Sequence, residues 1–203
     1  MDAHRPHKNY GFNALDFRML NRRGFSLVEL LIAMAVGLVV LGVAFSIFTV
    51  QNKSLNNQEQ LVELQQSVRA AMDMMSREVR MAGYNPARAT FDAVTFDTSQ
   101  LEVRADLDGS AGINGDEDII YAYDSVNKII TRNAGSGAEP LAENIDAFTF
   151  QYLDSAGNPA ATSTAVTMVR ITITGRTAQP DPDYSANSGY RTYTLTSDVT
   201  RRN

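Results

Sequence analysis

The sequence predicts an α+β protein in which one long N-terminal helix packs on an antiparallel β-sheet head. Three observations lead to this prediction: an apolar segment at residues 25–50, an amphipathic continuation of that segment, and a C-terminal series of short segments in which apolar and polar residues alternate. The chain has 203 residues, which is enough for one helical anchor and one globular domain.

The apolar segment extends from Phe25 to Val50 and is predicted to be the membrane-spanning half of the helix. Its clearly polar side chains are Ser26, Glu29, Ser46 and Thr49. A helix of this length would measure about 39 Å, more than the roughly 30 Å hydrocarbon core of a bilayer. Because a carboxylate in such a segment is costly, Glu29 is expected either to have a specific partner or to extend toward the headgroups at the helix end.

The amphipathic half of the helix is predicted to cover residues 51–83. Its apolar residues recur at spacings of three or four and form one stripe: Leu61, Leu64, Val68, Met72, Met75, Val79 and Ala82. Gly83 then supplies a cap position, and Pro86 cannot continue the helix. We expect the stripe to pack on the sheet of the same chain; a seam with a partner helix is the alternative.

The head, residues 84–203, is predicted to consist of β-strands. Segments with a strand pattern occur at residues 91–96, 101–104, 119–123, 126–131, 145–152, 169–174 and 192–199. Asp124-Ser125 is expected to join the third and fourth segments as a tight hairpin, and residues 154–158 to end the fifth. The last two segments alternate apolar residues with threonine or arginine, which indicates an antiparallel sheet with one solvated face.

The start of the apolar segment carries the most specific motif in the chain. Residues 24–34 (GFSLVELLIAM) resemble the class III signal of type IV pilins and type II secretion pseudopilins. The resemblance implies a pilin-like fold, a leader of residues 1–24 that prepilin peptidase removes by cutting between Gly24 and Phe25, and N-methylation of Phe25. It also implies a role for Glu29 in subunit assembly, opposite the N-terminal amine of a neighbouring subunit, where pairing offsets the cost of burying either charge.

Two simpler interpretations of this segment fit less well. A secretory signal peptide has an apolar stretch of about 7–15 residues followed by a small-x-small site, whereas this run is longer and no Ala-x-Ala follows it. An ordinary anchor explains the length but not Gly24, Phe25 and Glu29. The basic pair Arg22-Arg23 is expected to hold the N-terminus in the cytoplasm. Met19 is a second candidate start, which would give a much shorter leader.

The amino-acid composition argues against several classes of function. The chain carries a net charge of −5, and because the leader contributes +3, the remainder carries −8; a nucleic-acid partner is therefore not expected. The absence of cysteine departs from the many major pilins that close a C-terminal loop with a disulfide. The two histidines, His4 and His7, lie in the leader, and no nucleophile–base pair or phosphate-binding loop is recognisable. No catalytic residue, and hence no enzyme, is predicted.

The loop of residues 106–118 is a candidate calcium loop, because hard cations bind several oxygen ligands. Its candidate ligands are Asp106, Asp108, Asn114, Asp116 and Asp118. An EF-hand register that begins at Asp106 fails, since the sixth position, which must be glycine, is Ala111, and the twelfth is Glu117. A solvated turn rich in aspartate and glycine is the alternative, and no other cofactor is predicted.

Three later stretches resemble one branch of the family. Residues 69–84, 116–123 and 144–152 are similar to PilW-type minor pilins, and the first is also similar to J-type pseudopilins of type II secretion. The resemblance implies a minor pilin that helps to initiate or cap type IV pilus assembly. Its partners would be other minor pilins, the major pilin, prepilin peptidase and the inner-membrane assembly platform.

The same resemblance implies a location. The protein would cross the inner membrane once, with a cytoplasmic N-terminus and a periplasmic head, before it enters the pilus filament or its tip. Two alternatives remain open: a J-type pseudopilin of the type II secretion tip complex, and a pilin-anchored adhesin or ligand-binding head.

Overall fold

The computed structural model describes residues 24–202. Met19 and the predicted leader therefore lie outside the described residues, with the exception of Gly24. The chain divides into two compact units, residues 1–49 and residues 50–203. Within the described part, one α-helix, α1, extends over Leu27–Met81, and eight β-strands follow it.

The strands form two antiparallel sheets. The first sheet contains, in sequential order, β1 (Val94–Thr95), β2 (Gln100–Arg104), β3 (Asp118–Asp124), β4 (Ile129–Asn133) and β5 (Ala138–Ala142). The second contains β6 (Ile145–Leu153), β7 (Met168–Arg176) and β8 (Thr192–Thr200). The predicted α+β class, a long helix followed by antiparallel strands, is confirmed.

The division into two sheets differs from the single sheet that we expected. Only Glu143 and Asn144 separate β5 from β6, and Asn144 has the left-handed φ of 57°. This backbone conformation turns the chain out of the first sheet, so that β6 pairs with β7 instead of β5. Asparagine tolerates such a φ better than most residues, which makes a sharp turn feasible here.

The second half of α1 supplies much of the core of the second unit. Six of the seven predicted stripe residues are buried there, and the seventh, Leu61, is partly buried against them. β7 approaches the helix so closely that a Cβ on Gly175 would lie 2.5 Å from Cδ1 of Leu64. Since each fully buried aliphatic side chain contributes about 1.5–3 kcal/mol, this stripe is a principal source of stability. It packs on strands of its own chain, as expected.

The end of α1 is fixed by backbone hydrogen bonds to the first sheet. Gly83 has φ 79°, a left-handed conformation that glycine adopts without strain. Its N–H donates to the carbonyl of Arg104 at 2.9 Å, and the N–H of Tyr84 donates to that of Met81 at 3.0 Å. The helix therefore stops close to the predicted glycine, at the point where β2 ends.

Two tyrosine hydroxyls connect the two sheets. The hydroxyl of Tyr123 on β3 lies within hydrogen-bond distance of the carbonyl oxygens of Ile145 (2.8 Å) and Asp146 (2.9 Å). Tyr152 on β6 similarly lies 2.8 Å from the Asp97 carbonyl and 3.1 Å from that of Gln100. Burial raises the pKa of Tyr152, so its hydroxyl stays protonated and can act as a donor.

The structure differs from the predicted strands at two places. The tight hairpin at Asp124-Ser125 is a longer turn, and β4 begins at Ile129. Asp124 Oδ1 accepts hydrogen bonds from the N–H groups of Val126 (2.9 Å) and Asn127 (3.0 Å), and these bonds stabilise the longer turn. Strand β5 was not predicted, because Pro140 and the exposed first half of the segment hide its strand pattern.

The solvated face that we predicted is confirmed on β7 and β8. Buried and accessible residues alternate along β7, and the accessible ones form pairs across the strands. The hydroxyls of Thr172 and Thr196 lie 3.0 Å apart, and Arg170 forms two 2.7 Å hydrogen bonds to the carboxylate of Asp198. These side-chain pairs support the ladder from the solvent side.

Candidate functional site

The bond between Gly24 and Phe25 lies in an irregular stretch immediately before α1. Phe25 is 82% exposed, and a Cβ added to Gly24 would have no neighbour within 4 Å. Within the described part of the chain nothing covers this peptide bond. A protease that acts on an extended backbone would therefore find it accessible.

The first turn of α1 is capped by Ser26. The N–H of Glu29 donates to Ser26 Oγ at 3.2 Å, and the N–H of Leu30 donates to the Ser26 carbonyl at 3.1 Å. The Ser26 hydroxyl thereby satisfies a donor that the helix itself leaves without a partner, and the Ser26 carbonyl accepts the first regular helical hydrogen bond. The carboxylate of Glu29 is exposed in the same turn, where the helix dipole favours negative charge.

This capping arrangement was not predicted above. Serine followed three residues later by glutamate, at the start of an apolar run, is the sequence signature of a capping box. Ser26 and Glu29 have that spacing, so the signal was present in the sequence. Glu29 therefore has a place in the local structure of the helix in addition to any partner in another subunit.

The first half of α1 has the properties of a helix in an apolar environment. The helix is long and apolar enough to cross a membrane, and no residue of its most apolar 18-residue window is buried. Its large apolar side chains between Leu27 and Val50 are each at least 53% exposed. A core helix of a soluble domain would be covered by its own chain, so this segment requires lipid or neighbouring helices around it.

The acidic loop after β2 brings three carboxylates together. Asp106, Asp108 and Glu117 each place one oxygen so that all three lie within 4.8 Å of one another. Asp106 and Glu117 are buried, at 0% and 4% exposure, and Asp108 is exposed. Glu117 was considered above only as the last position of a failed EF-hand register, since its approach to Asp106 depends on how the loop folds back.

The other predicted ligands in this loop lie apart from that group. Asn114 and Asp116 are exposed, and Asp118 forms an ion pair with Arg104, whose Nε is 3.4 Å from its Oδ1. The structure therefore places two of the five predicted ligands, Asp106 and Asp108, in one cluster. The cluster gains Glu117 as its third member.

A polar cluster joins α1 to the first sheet. The carboxylate of Glu78 accepts a hydrogen bond from the hydroxyl of Tyr121 and three from Arg132, the shortest at 2.7 Å. Burial, followed by the Glu78 contact, raises the pKa of Tyr121, and the same contact raises that of Arg132. Tyr121 and Arg132 thus remain protonated, as is typical of a polar cluster that joins two elements.

Two family models match the chain. The model described as prepilin peptidase-dependent protein B matches residues 57–200, which is more than half of the chain. The model described as the prokaryotic N-terminal methylation motif matches residues 19–45. Together these matches cover the start of α1, its amphipathic end and nearly all of the β-rich head.

Individual relatives are more distant. The pilin-like protein PilA3 of Thermus thermophilus is 40% identical over 62 residues, which is 30% of this chain and 27% of that protein. The match therefore spans about a quarter of the length of this curated relative. Among solved structures, a type IV-like pilin from Thermus thermophilus is similar with a TM-score of 0.45 and 12% identity, over 68% of this chain and 95% of that one.

Proposed function

We propose that this chain, a type IV pilin-like minor pilin that belongs to the prepilin peptidase-dependent protein B family, helps to initiate or cap the assembly of a type IV pilus. The observation that carries the proposal is the uncovered apolar half of α1, whose start matches the N-terminal methylation motif. A filament subunit needs such a helix, because it must leave the bilayer and bury the same surface against neighbouring helices.

Processing is the first step that we propose. Prepilin peptidase would cut between Gly24 and Phe25, after which Phe25 would become the methylated N-terminal residue. The accessibility of this bond and the lack of a side chain at Gly24 support the assignment, because the backbone can enter a narrow active site. The name of the matched family, which refers to dependence on prepilin peptidase, is consistent with it.

Subunit pairing is the second step. Cleavage would create an α-amine at Phe25, whose ordinary pKa of about 7.7–8.0 leaves it largely protonated at neutral pH. Glu29, one helical turn along, carries the opposite charge in an otherwise apolar region. In a bundle of identical helix ends, the amine of one subunit and the carboxylate of the next would satisfy each other, which fixes the axial register.

The location follows from the same features. We propose a single pass through the inner membrane, with a cytoplasmic N-terminus before processing and a periplasmic head. From there the subunit would join other minor pilins on the inner-membrane assembly platform, and the major pilin would be added beneath them. The head would then lie at or near the tip of the filament.

Mass spectrometry of the N-terminal peptide tests the processing step. We expect a peptide that begins at methylated Phe25 in cells with prepilin peptidase, and an unprocessed N-terminus in cells without it. Replacement of Gly24 by isoleucine should leave the precursor uncut in both strains. The same N-terminus in both strains, at Met1 or Met19, would contradict processing and with it the assembly role.

Deletion of the gene tests the assembly role and separates it from the alternatives. We expect surface pili to be lost and then restored by the wild-type gene on a plasmid. Normal pili together with retention of secreted enzymes in the periplasm would instead identify a J-type pseudopilin, to which residues 69–84 are similar. Normal pili with loss of surface binding alone would identify an adhesin.

A further inference from the structure

The acidic loop between β2 and β3 contains an arrangement that pilus assembly does not explain. The carboxylates of Asp106, Asp108 and Glu117 lie within 4.8 Å of one another, and two of them are buried. Like charges at this distance repel, and burial strengthens the repulsion because solvent no longer screens it. A bound cation would relieve this repulsion.

The buried Asp106 is incompletely satisfied, which is a separate observation. Its Oδ1 accepts the N–H of Gly109 at 2.8 Å, whereas its Oδ2 is enclosed and receives no hydrogen bond from any described group. The residue has 0% exposure, so bulk water does not solvate this oxygen. A buried acceptor without a donor is rare in folded proteins, and a bound ion is one group that would satisfy it.

The arginines nearby are engaged elsewhere. Arg104, at the end of β2, pairs with Glu102 and Asp118. Arg132 lines the same cavity as Glu117, but its Nη2 lies 2.7 Å from Glu78. Within residues 24–202, no ion pair reaches the three clustered carboxylates. The compensating charge is therefore not supplied by the described side chains.

The loop backbone holds the cluster in place. Glu117 Oε1 accepts the N–H of Leu107 at 2.6 Å and that of Asp108 at 3.1 Å, so the loop closes around this side chain. The N–H of Asp106 donates to the Tyr84 carbonyl at 2.8 Å, which ties the loop to the end of α1. The carboxylates are thus positioned by backbone contacts and do not depend on mobile side chains.

We propose that Asp106, Asp108 and Glu117 form a calcium site that stabilises the junction between α1 and the first sheet. Oxygen ligands at about 2.3–2.6 Å from Ca²⁺ can lie up to roughly 5 Å apart, which accommodates the spread of the three oxygens. Mg²⁺ demands near-ideal octahedral geometry and gives up its waters reluctantly, so a group of carboxylates held by backbone contacts suits Ca²⁺ better. Water or loop carbonyls would complete the coordination sphere, and the absence of histidine and cysteine after the leader disfavours transition metals.

This site does not rest on the proposed role in pilus assembly, and its test is independent of pili. The full chain, purified in nonionic detergent and treated with EGTA, is melted while CaCl₂ is titrated, with MgCl₂ and NaCl as parallel additions. We expect half-saturation at about 0.1–1 mM Ca²⁺, as in extracellular calcium modules, and a rise in Tm of about 3–6 °C at tenfold excess. Magnesium should raise the Tm less, and sodium chloride at equal ionic strength should have no comparable effect.

Two variants with the same charge change locate the ion. Asp108 and Asp116 are both exposed and lie in the same loop, but only Asp108 belongs to the cluster. We expect Asp108→Asn to weaken the calcium response about tenfold or more and Asp116→Asn to leave it unchanged. Equal melting in EGTA and 10 mM CaCl₂, or an equal loss in both variants, would overturn the proposal. Calorimetric titration of the wild-type chain with CaCl₂ tests calcium binding directly, and the absence of binding heat would likewise overturn the proposal.

Discussion

At the scale of single residues, Glu29 has a place in the first turn of α1 and a proposed second role in subunit pairing. Its backbone N–H bonds to the Ser26 hydroxyl in the first turn of α1, and its carboxylate lies where the helix dipole favours negative charge. The bond to Ser26 uses the backbone N–H of residue 29, so it does not depend on the side chain at this position. Pairing with an amine across subunits requires the negative charge. The two roles can therefore be separated by substitution.

Substitution of Glu29 by glutamine and by alanine tests the charge. We expect both variants to be cut at Gly24 but to enter filaments at least about tenfold less than the wild type, because the amine of the neighbouring subunit loses its partner. The measurement is the ratio of subunit in sheared filaments to subunit in membranes. Ser26→Ala is the control, since it removes the cap, at a cost of about 1 kcal/mol to the helix, and keeps the charge. Wild-type incorporation of both Glu29 variants would contradict the proposed charge pairing.

At the scale of secondary-structure elements, α1 and β7 pack closely together at Gly175, a strand residue without a side chain. A Cβ at Gly175 would lie 2.5 Å from Leu64 Cδ1 and 3.1 Å from Val68 Cγ2. Both helix residues are buried, so neither side chain can move aside freely. The glycine thus allows the predicted apolar stripe to sit directly on the strand.

Substitution of Gly175 by valine should separate these two elements. We expect the free energy of unfolding to fall by about 1–3 kcal/mol, the usual cost of overpacking a core. Urea denaturation of the full chain in detergent, followed by circular dichroism, measures the change. Thr174→Val, one position along β7 on the solvated side, is the matched control and should change stability by less than about 0.5 kcal/mol. An unchanged Gly175→Val protein would mean that the helix can shift without cost.

The connection between β7 and β8 is a second element whose position depends on a few contacts. Asp181, whose side chain is 5% exposed, accepts hydrogen bonds from Asn57 (2.8 Å) and Arg191 (3.0 Å), and lies 3.6 Å from Lys53. The hydrogen bond from Arg191, followed by that from the backbone of Asp183, lowers the pKa of Asp181. The carboxylate of Asp181 therefore helps to fasten residues 177–191 to α1 within the second unit.

Substitution of Asp181 by asparagine should release this connection. We expect hydrogen exchange of amides in residues 177–191 to accelerate roughly tenfold, because two hydrogen bonds to a charged acceptor are weakened. Hydrogen-exchange mass spectrometry of the full chain measures the effect. Asp183→Asn is the control, since that side chain is 79% exposed and pairs with Lys53 only. Equal exchange in the two variants would assign the anchoring to backbone contacts instead.

At the scale of the whole molecule, several carboxylates couple stability to pH in the same direction. The pKa of Asp198 is lowered by its hydrogen bonds from Arg170, that of Asp124 by backbone hydrogen bonds from the following turn, and that of Asp181 as described above. A carboxylate whose pKa in the folded state lies below its unfolded value of about 3.9 stabilises the fold above that pH. The stabilisation is lost as the pH falls through the folded value.

We therefore expect the chain to be stable near neutral pH and to lose stability progressively below about pH 4. Because the Asp198 ion pair is exposed, it contributes little on its own, and because the effect is divided among several carboxylates, the loss should be gradual. The measurement is the urea midpoint at pH 7, 4 and 3 in nonionic detergent. Asp198→Asn should show a smaller drop between pH 7 and pH 3 than the wild type. A urea midpoint that rises on acidification would contradict the predicted direction of the pH dependence.

The sequence by itself determined the features that depend on neighbouring residues. The apolar run of α1, its amphipathic stripe and its stop near Gly83 follow from helical spacing and from glycine and proline geometry. The alternation along β7 and β8 likewise specifies a strand with one wet face. The capping pair Ser26 and Glu29 was readable too, although it was not predicted. Such patterns are local, so a single sequence contains them completely.

Tertiary structure decided the features that depend on residues far apart in the chain. It alone divides the strands into two sheets at Asn144 and includes Pro140 in an edge strand. It also brings Glu78 of α1 into contact with Tyr121 of β3. It also turns the acidic loop so that Glu117 faces Asp106, which spacing along the chain did not indicate. These outcomes depend on which surfaces meet when the core is buried, and the energy of that choice is shared among contacts that no local pattern records.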